Sequence, residues 1–240
     1  MSDNTPWHQG TLVDAVPLNL NARSITFEVP DWPGNLAGQH VDIRLTAADG
    51  YQAVRSYSTA SAGTGTRVEL GVEKLPDGEV SPFLVDGIEI GDSVEIRGPL
   101  GRWFVWTEDL TTPVQLIAGG SGVVPLLSMI RQHRMAQSSS EMRLLYSLKS
   151  PDDAFYREQL ALLAGDAEVT WHYTRATPEG TQKQPSRLTK QDLQEAVSPP
   201  ESAPRIYICG PTGFVESVSG FLGELGHLPE NIRTERFGGV

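Results

Sequence analysis

A chain of 240 residues with 39% hydrophobic and 20% charged residues has enough apolar surface for one large core or two ordinary ones, which excludes a disordered or fibrous polymer. The net charge of −11 argues against nucleic acid, whose phosphates it would repel. The longest apolar runs, such as "LIA" and "VVPLL", are far too short to span a bilayer, so no membrane is expected.

The opening "MSDNTPWHQG" has neither a basic start nor an apolar stretch, so no secretory signal is expected and the setting reads as cytoplasmic. Cys209 is the only cysteine, which rules out a disulfide within the chain and a cysteine-ligated iron–sulfur cluster built from it alone. The five histidines, at 8, 40, 133, 172 and 227, never fall at metal-ligand spacing and read as surface or packing residues. No metal is expected.

The first half reads as strands and turns. "VDIRLTA" (41–47), "RVELGVEKL" (67–75) and "SVEIRG" (93–98) alternate apolar and polar positions, and "ADGY", "PDG" and "EIGD" punctuate them. Between the first two lies "RSYSTAS" (55–61), strand-like but almost without an apolar face. Its arginine, phenol and hydroxyls suit a ligand with a phosphate and a flat ring, although an exposed strand tolerates the same residues. "VSPFLVDG" (80–87) suggests a single helix starting near Ser81. Such spacing points to an antiparallel barrel or sandwich.

The second half changes rhythm. "VQLIAGG" (114–120) is an apolar strand ending in glycines, and "VVPLLSMIRQHRMA" (123–136) follows with helical periodicity. "RLLYSL", "DAFYREQLALLAG" and "VTWHYT" repeat the strand–helix–strand order. "LTKQDLQEAV" carries Thr189 three positions before Asp192, a loose capping box. "RIYICG" and "TGFVESVSGFLGELG" complete the pattern, with Gly226 as a helix stop. This alternation predicts a doubly wound parallel sheet, joined to the first half near Pro113, so that domains of 1–111 and 112–240 are expected. Charge is uneven across that join. Residues 1–112 hold 7 Lys/Arg against 16 Asp/Glu, residues 113–240 hold 12 against 14, and the richer supply of cations suits an anionic ligand in the second half.

In an open parallel sheet, ligands bind beyond the carboxyl ends of the strands. "AGGSGVVP" (118–125) lies there. Its glycines let backbone approach a pyrophosphate and the next helix offers free N–H groups, although a plain tight turn uses the same residues. "YICGP" ends a later strand at the same edge, where Cys209 could equally be a small buried residue.

Across almost the whole chain, "GQHV", "RSYSTAS", "GEVSPFL", "GPLG", "GGSGVVP", "CGP" and a terminal "ERF" occur in that order. This order resembles the ferredoxin–NADP reductase superfamily, closest to compact bacterial reductases without a fused ferredoxin domain. The resemblance implies an N-terminal antiparallel β-barrel that binds flavin, followed by a doubly wound parallel-sheet domain that binds a nicotinamide nucleotide. It places Arg55 on the flavin phosphate, where a guanidinium fork fits. Ser56, Tyr57 and Ser58 complete that motif, Tyr57 against the isoalloxazine and Ser58 near flavin N5. Gly78, Val80 and Ser81 match a pyrophosphate-binding helix start typical of FAD members, so FAD is the expected flavin. In the second half Gly119, Gly120, Gly122 and Pro125 match the nucleotide turn, and Cys209, Gly210 and Pro211 the segment facing the nicotinamide. Glu235 and Phe237 match an acid and an aromatic near the flavin, with Gly238, Gly239 and Val240 following where plant-type members end in tyrosine.

For coenzyme choice, Lys149 after "RLLYSL", Thr174-Arg175 after "VTWHY" and Arg187 resemble the cations that clamp a 2′-phosphate, so NADPH is expected over NADH; solvated surface charges would look the same. The implied activity is hydride transfer from NADPH to flavin N5. Its electrons would then go to a separate acceptor protein, such as a ferredoxin or an oxygenase component. Ser58, Cys209, Glu235 and Phe237 are the residues expected at the reacting atoms. Two alternatives remain: an NAD(P)H:flavin reductase that releases reduced free flavin, and a non-enzymatic nucleotide sensor.

Overall fold

A computed structural model describes residues 5–238, which fall into two compact units that meet in sequence at Trp106–Thr107. The first unit contains strands β1 (Trp7–Asn19), β2 (Ala22–Glu28), β3 (His40–Thr46), β4 (Gln52–Ser58), β5 (Arg67–Glu73) and β6 (Ser93–Leu100). They form one antiparallel sheet in the order β4-β3-β6-β1-β2-β5. The two edge strands meet where Thr59 bridges Leu70 and the Ala60 amide donates to the Glu69 carbonyl at 2.8 Å, which closes the barrel. Closure follows from a bent β1. Its first residues pair with β6 and its later ones with β2, and bulges between Leu12 and Asp14 and between Pro17 and Asn19 bend it through the turn. Inward residues such as Leu12, Ile25, Phe27, Ile43, Leu70 and Ile96 are fully buried.

Only one helical segment interrupts these strands among the described residues, at Phe83–Gly87, preceded by a helical turn at Ser81–Pro82. The Ile88 amide reaches back five residues to the Phe83 carbonyl, so the segment is wider than an α-helix. It starts at Ser81, where the sequence places it.

The second unit alternates β7 (Val114–Gly119), α1 (Val123–Met135), β8 (Met142–Leu148), α2 (Arg157–Leu162), β9 (Glu168–Tyr173), α3 (Lys190–Ala196), β10 (Arg205–Pro211), α4 (Thr212–Glu224) and β11 (Ile232–Phe237). All five strands are parallel, in the order β11-β10-β7-β8-β9. The chain starts in the middle with β7, winds outward through β8 and β9, then returns to the other side of β7. Right-handed crossovers therefore put later helices on the opposite face, giving the doubly wound sheet that was expected. Every residue of β7 is buried, as a central parallel strand requires.

Two helix ends carry the signals read from sequence. The Thr189 hydroxyl accepts from the Asp192 amide at 3.2 Å while Asp192 accepts from the Thr189 amide at 2.9 Å, a complete capping box. Gly226, at φ +94°, ends α4, with the His227 amide bonding the Leu222 carbonyl and the Gly226 amide that of Gly223. Helix α2 is shorter than "DAFYREQLALLAG" suggests. Ala154, Phe155 and Tyr156 are buried instead of helical, the Phe155 amide donates to the Tyr146 hydroxyl, and Tyr156 is left-handed at φ +55°. No helix among the described residues is long and apolar enough to cross a membrane.

Candidate functional site

In the first unit, pairing register sorts the "RSYS" residues. On β4, Arg55 lies opposite Ile43 and Tyr57 opposite Val41, so the two share the face that carries core residues. Ser56 points the other way, opposite Asp42, and its hydroxyl donates to the Asp42 carboxylate at 2.6 Å. Asp42 also accepts from Arg97, so Ser56 belongs to a cross-strand network. Ser58 ends the strand opposite His40.

Arg55 is half exposed, while burial pushes the Tyr57 phenol up to about 12, so Tyr57 stays neutral across the physiological range. The segment 78–81 approaches Arg55 through Glu79, which accepts from its guanidinium at 2.7 Å. Gly78 is tightly placed, because a Cβ there would come within 2.9 Å of Ser81 Oγ and 3.1 Å of the Leu75 carbonyl. Ser81 Oγ accepts from the Leu75 amide at 3.0 Å, and Val80 is fully buried. Arg55, Tyr57 and the start of the helical segment thus bring a guanidinium, an aromatic ring and a helix terminus into one barrel. These are groups that fit a flavin and its phosphate.

In the second unit the glycine turn and "CGP" converge at the topological switch point, between β7 and β10. Cys209 pairs with Ala118 across the two strands. Gly122 faces the Cys209–Gly210 peptide so closely that a Cβ would come within 2.2 Å of the Cys209 carbonyl oxygen. The Phe214 ring packs on Gly119 and Gly210, where a Cβ on either would come within 2.7 Å of it. Gly120, at φ +55°, instead has open space where its Cβ would stand. Pro125 sits in the first turn of α1. The result is a tight glycine seam at the mouth of the sheet in which Gly120, just before α1, is the glycine with open space beside its backbone, where a pyrophosphate has room to approach.

Cys209 is almost wholly buried. Burial pushes its thiol well above the ordinary range, and the nearby Glu235 carboxylate adds to the effect. The thiol therefore stays protonated, as in a buried packing cysteine. Strand register puts Glu235 beside Cys209 and a partly exposed Phe237 beside Pro211; Gly239 and Val240 lie outside the described residues.

The cations gather at the ends of β8 and β9. The Thr174 amide donates to the Leu148 carbonyl at 2.8 Å, and the Arg175 amide to that of Lys149 at 2.9 Å. The long loop then returns: the Ser186 amide bonds the Tyr173 carbonyl, and a ring nitrogen of buried His172 donates to the Ser186 carbonyl at 2.8 Å. This holds Arg187 beside the same strand end. Among the described residues no acid pairs with Lys149, Arg175 or Arg187, and Asp153 accepts from Ser150. Glu79 is the member of the site that sequence reasoning passed over as a residue of interest. Its partner Arg55 is remote along the chain, and only the fold joins them.

Residues 9–105 match the profile of the oxidoreductase FAD-binding domain, and residues 116–220 that of the oxidoreductase NAD-binding domain. The toluate 1,2-dioxygenase electron transfer component of Pseudomonas putida is 29% identical over 203 residues, 84% of this chain and 58% of that protein. NADH-cytochrome b5 reductase 1 of Aspergillus fumigatus is 26% identical over 236 residues, 93% of this chain and 76% of its own length. The chain therefore spans little more than half of the first relative and about three quarters of the second. Two solved structures share the fold. The FAD/NAD-binding domain of nitric oxide dioxygenase from Vibrio cholerae has a TM-score of 0.85 at 23% identity, covering 97% of this chain and 99% of its own. A ferredoxin NADP+ reductase from Neisseria gonorrhoeae with bound FAD and NADP has a TM-score of 0.80 at 20% identity, covering 96% and 98%.

Proposed function

We propose that this chain, which belongs to the ferredoxin–NADP reductase superfamily, is an FAD-dependent reductase that oxidises NADPH and passes the electrons to a separate acceptor protein. The observation that carries this reading is the tight glycine seam at the switch point, where Gly119 to Gly122 meets Cys209 to Pro211 and Gly120 stands open. A relative named as an electron transfer component supports the choice of a protein acceptor, such as a ferredoxin or an oxygenase component. Bound flavin would supply the chemistry that accepts a hydride and releases electrons singly.

The chain's own residues bind and orient. Arg55 holds a flavin phosphate, the neutral Tyr57 ring offers a flat apolar surface, and Ser58 supplies a hydroxyl at the strand end. Gly78, Val80 and Ser81 hold the start of the helical segment in place for the rest of the pyrophosphate. Lys149, Thr174, Arg175 and Arg187 form the pocket for a 2′-phosphate, which selects NADPH over NADH. Glu235 and Phe237 close the strand end beside Cys209 and Pro211. We place the reaction in the cytoplasm, with no nucleic acid or membrane partner.

Arg55→Ala is expected to weaken FAD binding by about tenfold, the low end for a charge-assisted phosphate contact, because Arg55 also gives up a carboxylate partner. Quenching of flavin fluorescence on titration measures it, and an unchanged dissociation constant would remove Arg55 from the phosphate site. A second reading, reduction of exchangeable free flavin, is favoured by one observation: both terminal nitrogens of Arg55 are already engaged, one by Glu79 and one by the Val54 carbonyl.

A further inference from the structure

Three side chains of the first unit, Tyr51, Glu79 and Arg55, are joined by hydrogen bonds, and the first two have no part in the proposed reaction. The turn between β3 and β4 presents Tyr51, whose hydroxyl donates to one oxygen of Glu79 at 2.7 Å, and Arg55 donates to the other at 2.7 Å. Both carboxylate oxygens are thus engaged, from two different elements. The hydrogen bond from Tyr51, with the charge of Arg55 behind it, holds the Glu79 carboxyl below its ordinary range, so it remains an anion. Glu79 also lies directly before Val80 and Ser81, where the helical segment begins.

Arg55 Nη1 donates to the Val54 carbonyl at 2.7 Å and Nη2 to Glu79, so Glu79 holds one of the guanidinium donors that a phosphate would take. A guanidinium fork serves a carboxylate or a phosphate through the same N–H groups, and two anions held together against one cation repel each other. We infer that Glu79 is an internal competitor for the flavin phosphate, a specificity-determining residue that lowers affinity for phosphorylated flavins and narrows the gap between FAD and riboflavin. This rests on the reading of Arg55 as the phosphate ligand. The Arg55 and Glu79 side chains are 51% and 46% exposed, and pairs so exposed shift equilibria by no more than about fivefold. Glu79 therefore grades affinity and does not block it.

The test strips the full chain of flavin and titrates it with FAD and with riboflavin, which has no phosphate. Glu79→Gln is expected to tighten FAD about three- to fivefold and leave riboflavin within about twofold, and in an Arg55→Ala background the gain on FAD should shrink to the weaker direct repulsion between carboxylate and phosphate. Glu79→Lys, which reverses the charge, should tighten FAD further. If Arg55→Ala weakens FAD but Glu79→Gln leaves it unchanged or weaker, the competitor role is wrong and the phosphate site stands. If Arg55→Ala has no effect, the phosphate reading fails and takes this inference with it. Equal tightening of riboflavin would also overturn it, because the effect would then not involve phosphate.

Discussion

Gly122→Ala is expected to destabilise the second unit by about 3 kcal/mol, the upper range for forcing extra volume into packed structure, and to lower its melting temperature by on the order of 10 °C. The new methyl would stand 2.2 Å from the Cys209 carbonyl oxygen, 2.5 Å from its carbon and 2.9 Å from the Gly210 nitrogen. These are backbone atoms of β10, which is hydrogen-bonded to β7 on one side and β11 on the other, so no rotamer change relieves the clash. Gly120→Ala is the control. Its Cβ meets open space, and only the left-handed φ of +55° is unfavourable, costing about 1–2 kcal/mol. Calorimetry of both variants decides the matter: equal melting temperatures would show that the seam between β7 and β10 yields.

Arg175→Ala should cut kcat/KM for NADPH about thirtyfold, equivalent to roughly 2 kcal/mol of charge-assisted contact, with the NADH value nearly unchanged. The 2′-phosphate is the only chemical difference between the coenzymes, so a residue that touches only this group affects only one of them. Among the described residues Arg175 has no acidic partner to compete for it, unlike Arg55, and its backbone is tied to Lys149. Steady-state kinetics with both coenzymes test this. A wild-type protein that uses NADH as efficiently would refute the NADPH choice, and a variant losing both equally would move Arg175 to a part common to both.

The second unit was the more legible half because its grammar is redundant. Buried parallel strands read as apolar runs, and Thr189, Asp192 and Gly226 mark helix ends through local chemistry that the sequence displays directly. The first unit hides more. Strand β1 contains Asp14 and Pro17 and two bulges, which break the alternation by which a strand is recognised. Helix α2 was overread because core burial of Phe155 and Tyr156 overrode their helical spacing. In the site, the residue types of "RSYS" were plain, but their division between two faces depends on register with β3, where Asp42 claims Ser56. Glu79 could not be read at all without the fold, since a charged residue in a polar turn looks like any solvated acid.

The strand order of the second unit also sets a timetable. Val114 pairs with Met142 on one side, a contact closed by a single helix crossover, and with Arg205 on the other, only after three helices and two more strands have been traversed. Closing the longer loop costs more chain entropy, and distant contacts form more slowly. The contact of Gly119–Gly122 with Cys209–Gly210 lies on that late seam, so a nascent or partly folded chain in which β7, β8 and β9 have already assembled has not yet formed the proposed nucleotide site. Pulsed hydrogen exchange during refolding should find the β10 amides protected after those of β8; simultaneous protection would contradict that order. On the proposed reading, coenzyme recognition doubles as a checkpoint, available only to a chain whose β10 has docked.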